Sequence, residues 1–185
     1  MKQAFLATAL VSAASLSQAA GFMLNSPDIQ ANGMIPPSFE YQGFGCAGDN
    51  TSPALKWRGA PKNTKAFAVT VYDPDAPSGS GWWHWMVINI PADVHELAAN
   101  AGAVGDANVP QGARQIRSDF GTTGWGGMCP PQGDKPHHYT FTVYALKDKL
   151  DVPADATAAL AGYMIHGNSL GKASFTARYG RPKAK

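Results

Sequence analysis

Six segments of this chain are rich in β-branched and aromatic residues, and clusters of proline and glycine separate them. Short apolar runs bounded in this way are typical of buried β-strands. Three of the segments are long enough to form the centre of a sheet, and three are shorter. The long ones are residues 65–72, 83–90 and 137–146, and the short ones are residues 39–42, 54–57 and 174–179.

One segment has the pattern of a helix. It covers residues 154–166, where alanine-rich sequence follows Pro153 and stops at Gly167. A second, short helix is predicted at residues 92–99, after Pro91. Parallel βαβ units would need a helix after nearly every strand, so this order of elements favours antiparallel sheets. The predicted fold is an all-β dominated, antiparallel Greek-key β-sandwich with one or two short peripheral helices.

Charge and hydropathy exclude two classes of partner. The chain has 185 residues, and 15 Lys and Arg against 13 Asp and Glu give a net charge of +2. This charge is too small for a counterion-release footprint, so we expect no nucleic-acid partner. Beyond the first twenty positions, no apolar run reaches the roughly 18 residues that a membrane-spanning helix needs. We therefore expect no stable membrane insertion.

The N-terminus has the three parts of a secretory signal peptide. Lys2 supplies a positive charge, residues 4–11 are apolar, and Ser17-Gln18-Ala19 has the small-x-small pattern that signal peptidase cleaves after. Residues 1–19 are thus predicted to be a signal peptide, and residues 20–185 a single domain. The predicted location is periplasmic or secreted, and the sequence leaves open which of the two applies. It also leaves the oligomeric state open.

Export bears on the two cysteines, Cys46 and Cys129. An oxidising compartment allows them one intramolecular pairing, which would stabilise the fold by roughly 4–5 kcal/mol in the chain-entropy model. Their spacing has neither a C-x-x-C redox pattern nor a four-ligand zinc pattern. A disulfide is predicted, and two buried free thiols are the alternative.

Three short motifs lack the context that their usual functions need. Residues 43–48 match G-x-G-x-x-G, but no helix is predicted to follow, so a glycine loop is expected. Residues 167–171 match G-x-S-x-G, but a helix precedes them and no histidine follows Ser169, so a helix cap and turn are expected. Asn50-Thr51-Ser52 has the form of a glycosylation site, which decides nothing without a glycosylating host.

Polar residues suited to a small anion lie near the ends of the long predicted strands. Asp73 begins the turn DPDAP, which two prolines stiffen. His84 is placed by period two on the face of Met86, Ile88 and Ile90. Each feature alone is also explained by an ordinary turn or by a histidine at the rim of a core.

A second group of such residues follows a glycine-rich loop at 124–131 (GWGGMCPP). His137 and Tyr139 come after it and share one side of their strand. Imidazole, phenol and backbone N–H groups can donate to phosphate oxygens, and glycine lets the backbone approach a ligand closely. Brought together with Asp73 and His84, these groups would make a small cleft for an anion.

Four long strings of residues occur in a fixed order along the chain. They are FGCAGDNTSPALKWRGAP at 44–61, DPDAP at 73–77, GWWHWMVINIP at 81–91 and GWGGMCPPQGDKPHHYTFTVYAL at 124–146. Together they resemble the phosphatidylethanolamine-binding protein family, specifically its bacterial Raf-kinase-inhibitor-like YbhB/YbcL branch. The resemblance covers essentially the whole predicted mature chain. It implies two antiparallel sheets packed face to face, in agreement with the strand pattern.

The resemblance also implies which residues bind a ligand. Asp73, His84, His137 and Tyr139 fall on the anion-binding residues of the family. Cys129 falls where eukaryotic relatives keep a glycine whose backbone N–H reaches the phosphate. A side chain at this position narrows the approach, which argues against large head groups and against phospholipid itself.

The predicted function is therefore that of an exported, non-catalytic binding protein for a small anionic or phosphorylated ligand, with no cofactor and no metal. Affinity should rise as pH falls through about 6–7, because a protonated histidine would offset Asp73. One alternative is an interaction protein that inhibits a kinase or protease or acts on a host protein. A third hypothesis is an enzyme acting on a phosphoester through His84, His137 and Asp73.

Overall fold

The computed structural model describes residues 21–183, so the predicted signal peptide at 1–19 lies outside the described residues. A five-stranded antiparallel sheet forms the centre of this part of the chain, in the order β10–β9–β5–β6–β8. No helix in this range is long and apolar enough to cross a membrane. The strands of the central sheet are β5 (Ala66–Asp73), β6 (Trp82–Pro91), β8 (Arg114–Gln115), β9 (His137–Leu146) and β10 (Ser169–Tyr179).

Smaller elements cover the two faces of the central sheet. A three-stranded antiparallel sheet has the order β1–β4–β7, and β2 pairs with β3 in a separate hairpin. A single turn of 3-10 helix, Pro37–Phe39, precedes β2. The remaining elements are β1 (Met23–Asn25), β2 (Gln42–Gly43), β3 (Cys46–Ala47), β4 (Leu55–Arg58), β7 (Glu96–Leu97) and α1 (Ala158–Asn168).

The central sheet is buried on both faces, which explains the nearly continuous apolar runs of its strands. On the inner face, Val69 and Val71 of β5 belong to a core that includes Leu55 and Trp57 of β4. On the outer face, alternate residues of the same strand pack with Ile165 of α1 in a second core. The predicted β-sandwich is confirmed, with one helix as a third layer.

The long strands were predicted to within a few residues, but residues 92–99 do not form the predicted helix. Leu97 pairs with Leu55 of β4 and is buried in the inner core, so this segment contributes strand β7. Burying one large apolar side chain is worth about 1.5–3 kcal/mol, more than a helix of two turns gains in water by itself. Tertiary burial therefore decides the structure here.

Two other predicted elements, the helix and the first short strand, differ in the structure. Helix α1 begins at Ala158 because the hydroxyl of Thr157 caps it, accepting from the N–H of Leu160 at 3.2 Å. It ends at Asn168 and β10 starts at the next residue, so the G-x-S-x-G segment joins a helix directly to a strand. The predicted strand at 39–42 is wrong: 3-10 helix Pro37–Phe39 occupies its start, and β2 begins at Gln42.

Candidate functional site

A pocket of about 190 Å³ lies where β5 ends and where β6 and β9 begin. All five predicted site residues line it: Asp73, His84, Cys129, His137 and Tyr139. None of the described lining residues is Lys or Arg. The rest of the wall is apolar and consists of Phe44, Ala76, Pro77, Trp82, Phe120, Pro130 and Pro131.

His84 reaches this pocket through a β-bulge. Tyr72 pairs with Trp83 and Val71 with Trp85, so His84 is an extra residue of β6 with no partner on β5. A bulge changes the direction in which a side chain points. The prediction that His84 shares a face with Met86, Ile88 and Ile90 is therefore wrong for Met86 and Ile88, whereas Ile90 lies in the inner core, as Tyr139 does. Met86 and Ile88 pack on the α1 side of the sheet, whereas the ring of His84 lies edge-on to Tyr139, with centroids 5.1 Å apart.

Two backbone carbonyls fix the tautomer of His84. Its Nδ1 is 2.7 Å from the oxygen of Gly126 and 3.2 Å from the oxygen of Gly127. Carbonyl oxygens only accept hydrogen bonds, so the Nδ1 atom carries the proton. Burial lowers the pKa of His84, against the opposing effects of the Gly126 carbonyl and of Asp73. The ring is neutral near pH 7, which leaves its Nε2 as an acceptor.

Asp73 and His137 form a buried pair. Nδ1 of His137 donates to Oδ2 of Asp73 at 2.8 Å, and the N–H of Asp75 donates to the other carboxylate oxygen at 2.8 Å. Nε2 of His137 is 3.8 Å from Oδ2 of Asp134, beyond hydrogen-bond distance. Both oxygens of Asp73 thus have donors, which reduces the repulsion that this carboxylate would exert on an anion.

The hydroxyl of Tyr139 is an unpaired polar group of the pocket. The side chain is fully buried, and its oxygen has no hydrogen-bond partner among the described residues. Burial raises the pKa of Tyr139 well above its usual value, and the carboxylate of Asp73, which lies near the hydroxyl without the geometry of a hydrogen bond, raises it further. The phenol therefore stays protonated and can donate. The buried indole N–H of Trp82, another lining residue, also lacks a partner within the described chain.

The glycine-rich loop contributes to the site differently from the prediction. We expected its N–H groups to bind the anion, but the N–H of Gly126 donates to the carbonyl of His84 at 2.9 Å. The N–H of Gly127 donates to Oδ1 of Asn50 at 2.8 Å. At both residues the carbonyl oxygen faces the site, where it holds His84.

Asn50 is a positioning residue that the sequence analysis missed. Besides accepting from Gly127, its side-chain amide donates to the carbonyl of Trp125 at 3.2 Å, so it holds the loop at two points. Its φ of 51° lies in the left-handed region, which Asn tolerates better than most residues. These contacts span 75 and 77 positions of sequence. A local pattern therefore cannot reveal them, and the glycosylation motif gave no hint of this role.

The mouth of the pocket is formed by a hairpin that the disulfide fixes. Cys46 and Cys129 are bonded, as predicted, and the bond joins β3 to the glycine-rich loop. Phe44 lies in the turn between β2 and β3 with a φ of 52°, and its side chain is 74% exposed. Its ring stacks on Phe120 with centroids 5.9 Å apart. Arg181 also donates to the carbonyl of Gly45 in this hairpin.

Comparison with known proteins shows the family of this chain. The family model described as phosphatidylethanolamine-binding protein matches residues 25–180. The chain belongs to this family. Two curated members from Escherichia coli strain K12 are similar to it: UPF0098 protein YbcL is 50% identical over 180 residues, or 97% of this chain and 98% of YbcL. UPF0098 protein YbhB is 46% identical over 157 residues, or 84% of this chain and 98% of YbhB.

A solved structure of the phosphatidylethanolamine-binding protein family shows the same fold. The crystal structure of E. coli YbcL, described as a new member of the mammalian PEBP family, superposes with a TM-score of 0.85 at 52% identity. The match covers 87% of this chain and 99% of the YbcL chain. The family resemblance and the β-sandwich predicted from sequence are both confirmed.

Proposed function

We propose that this member of the phosphatidylethanolamine-binding protein family is an exported, non-catalytic binding protein whose pocket takes a small phosphate-like group. The observation that carries the proposal is the hydroxyl of Tyr139, a buried donor with no partner among the described residues. Buried polar groups in folded proteins are nearly always hydrogen-bonded. An oxygen of the ligand is the acceptor that this donor fits.

The other polar groups of the pocket support an anion of low charge. Asp73 is held by His137 and by the N–H of Asp75, so its carboxylate has little free acceptor capacity. No Lys or Arg lines the pocket in the described chain. A ligand with several negative charges would therefore be poorly neutralised, whereas a single small phosphoryl or carboxyl group fits the donors and the volume.

The described lining lacks several groups that catalysis commonly uses, and this also favours a binding role. The sulfur of Cys129 is bonded to Cys46, and none of the described lining residues is Ser, Thr or Lys. The phenol of Tyr139 is held in its protonated form by burial. The described lining thus has no hydroxyl, amine or free thiol that could act as an activated nucleophile, and the Asp73 carboxylate is occupied by two donors.

Three observations support export. Residues 1–19 have the sequence pattern of a signal peptide. The Cys46–Cys129 disulfide is typical of proteins that work in an oxidising compartment. A relative from Mycobacterium tuberculosis, 35% identical over 130 residues, or 70% of this chain and 60% of its own length, is named as a lipoprotein, LppC.

An NMR titration with phosphorylethanolamine at pH 6 tests the binding proposal. Amide shifts should cluster at Asp73, His84, Tyr139 and residues 126–129, and saturate with ligand. The variant Tyr139→Phe should weaken the response. Tyr144→Phe is the matched control, because Tyr144 lies on the same strand but its hydroxyl is 3.1 Å from Nε2 of His166 in α1. Absence of saturable shifts at millimolar ligand would overturn the proposal.

A further inference from the structure

The pocket presents a hydrogen-bond acceptor next to a donor. Nδ1–H of His84 is used by the carbonyls of Gly126 and Gly127, and Nε2 has no partner among the described residues. In the neutral ring Nε2 can only accept. The hydroxyl of Tyr139, on the neighbouring ring 5.1 Å away, is protonated and unpaired, so it is free to donate. A fully deprotonated anion can accept a hydrogen bond from Tyr139, but its oxygen atoms would be repelled by the lone pair on Nε2 of His84.

The charged groups around His84 do not change this arrangement. The carboxylates of Asp73 on β5 and of Asp119 in the loop after β8 favour protonation of His84. Loss of hydration on burial outweighs them and keeps the pKa of His84 low. His137 on β9 is the other titratable base of the pocket, and its Nδ1 is bound to Asp73. Even a protonated His137 would only balance the charge of Asp73. The described lining thus supplies no excess positive charge for a dianion.

We propose that the pocket binds a phosphomonoester in its singly protonated form, with the P–O–H group donating to Nε2 of His84 and a second phosphoryl oxygen accepting from Tyr139. This inference rests on the proposed function and narrows its ligand class. A phosphodiester, such as the head group of a phospholipid, has no P–O–H group. A sulfate ester has the right shape and a single charge but also lacks this proton.

The proposal predicts a pH dependence that comes from the ligand. A phosphomonoester loses its last proton with a pKa of about 6, so the singly protonated fraction falls about 50-fold between pH 6 and pH 8. Affinity for a phosphomonoester should fall by the same factor. Titration of His84 or His137 would instead change the affinity for every anion of that shape, including a sulfate ester.

Calorimetric titration of the unmutated full chain with two matched ligands separates these cases. The ligands are phosphorylethanolamine and 2-aminoethyl sulfate, which differ in the P–O–H group, and glycerophosphorylethanolamine serves as the diester. At pH 6 we expect phosphorylethanolamine to bind about tenfold or more tightly than either of the others, the equivalent of one hydrogen bond of about 1.4 kcal/mol. At pH 8 this advantage should be lost. The ³¹P shift of bound phosphorylethanolamine at pH 7 should remain that of the monoanion.

Each outcome has one meaning. If phosphorylethanolamine and the sulfate ester bind equally and change together with pH, the proton belongs to a histidine and this inference is wrong, while the binding function stands. The same holds if the diester binds as tightly as the monoester. If none of the ligands binds at pH 6, the proposed function itself is wrong.

Discussion

Replacing Tyr139 with phenylalanine removes one oxygen atom from the pocket and nothing else. That oxygen is buried and makes no hydrogen bond of normal geometry among the described residues, so its removal costs only a weak interaction with the nearby carboxylate of Asp73. Burying an unpaired polar group costs roughly 1–3 kcal/mol. Tyr139→Phe should therefore leave the free energy of unfolding unchanged or raise it by up to that amount.

The same substitution should weaken ligand binding. A hydrogen bond to a charged group is worth about 1.5–3 kcal/mol, which corresponds to roughly a 10- to 100-fold loss of affinity. Tyr144→Phe should behave in the opposite way. It removes the bond to His166 and should lower stability by roughly 0.5–1.5 kcal/mol while leaving affinity unchanged.

Urea unfolding and calorimetric titration with phosphorylethanolamine at pH 6 measure the two quantities. Opposite effects of the two substitutions would show that the Tyr139 hydroxyl serves a ligand rather than the fold. The reasoning is refuted if Tyr139→Phe lowers the free energy of unfolding by more than about 1 kcal/mol, since its hydroxyl would then have a structural partner.

Three further predictions concern the parts that hold the pocket together. Replacing Cys46 and Cys129 by serine opens a loop with a sequence separation of 83, and urea unfolding should show a loss of about 4–5 kcal/mol. Asn50→Gly keeps the left-handed φ of 51° and removes both contacts with the loop, so calorimetry should show weaker phosphorylethanolamine binding, whereas Asn50→Asp, which retains the acceptor for Gly127, should lose less. Burial lowers the pKa of His84 in the folded state. Protonation therefore favours the unfolded chain, so the free energy of unfolding is greatest above the unfolded-state pKa of about 6.5 and decreases as pH falls below it. Urea unfolding from pH 7 to pH 5 should show this loss, by at most about 1.4 kcal/mol per pH unit, and His84→Phe should reduce the slope.

These predictions can each fail. A double serine variant as stable as the parent would show that the disulfide constrains the unfolded chain little. Equal binding by Asn50→Gly and the unmutated protein would mean that other contacts hold the loop. A slope that His84→Phe leaves unchanged would assign the acid sensitivity to another group.

The strands of the sandwich could be predicted because the composition of each segment by itself indicates a buried strand. Segments such as His137–Leu146 are buried on both faces over most of their length, and their β-branched and aromatic composition reflects a sheet covered on both sides. The helix predicted at 92–99 failed because burial of Leu97 against β4 is decided by residues distant in sequence. Helix propensity depends on residues close in sequence and therefore does not reflect that contact.

The residues of the candidate site could be predicted from the sequence, but their arrangement could not. Asp73, His137 and Tyr139 were placed by family resemblance and by strand ends, and the structure brings them together with His84 and Cys129. The face of His84 was wrong because a bulge breaks the period of two. Asn50 and Phe44 were missed because their roles depend on the glycine-rich loop and on Phe120, which lie far along the chain.

A crystal structure of the protein with phosphorylethanolamine at pH 6 tests the central claim most directly. The account predicts the phosphoryl group in the pocket, within hydrogen-bond distance of the Tyr139 hydroxyl and of Nε2 of His84. A ligand bound instead in the surface cleft of Tyr144, His166 and Lys172, or beside Asp75 and His138, would contradict it.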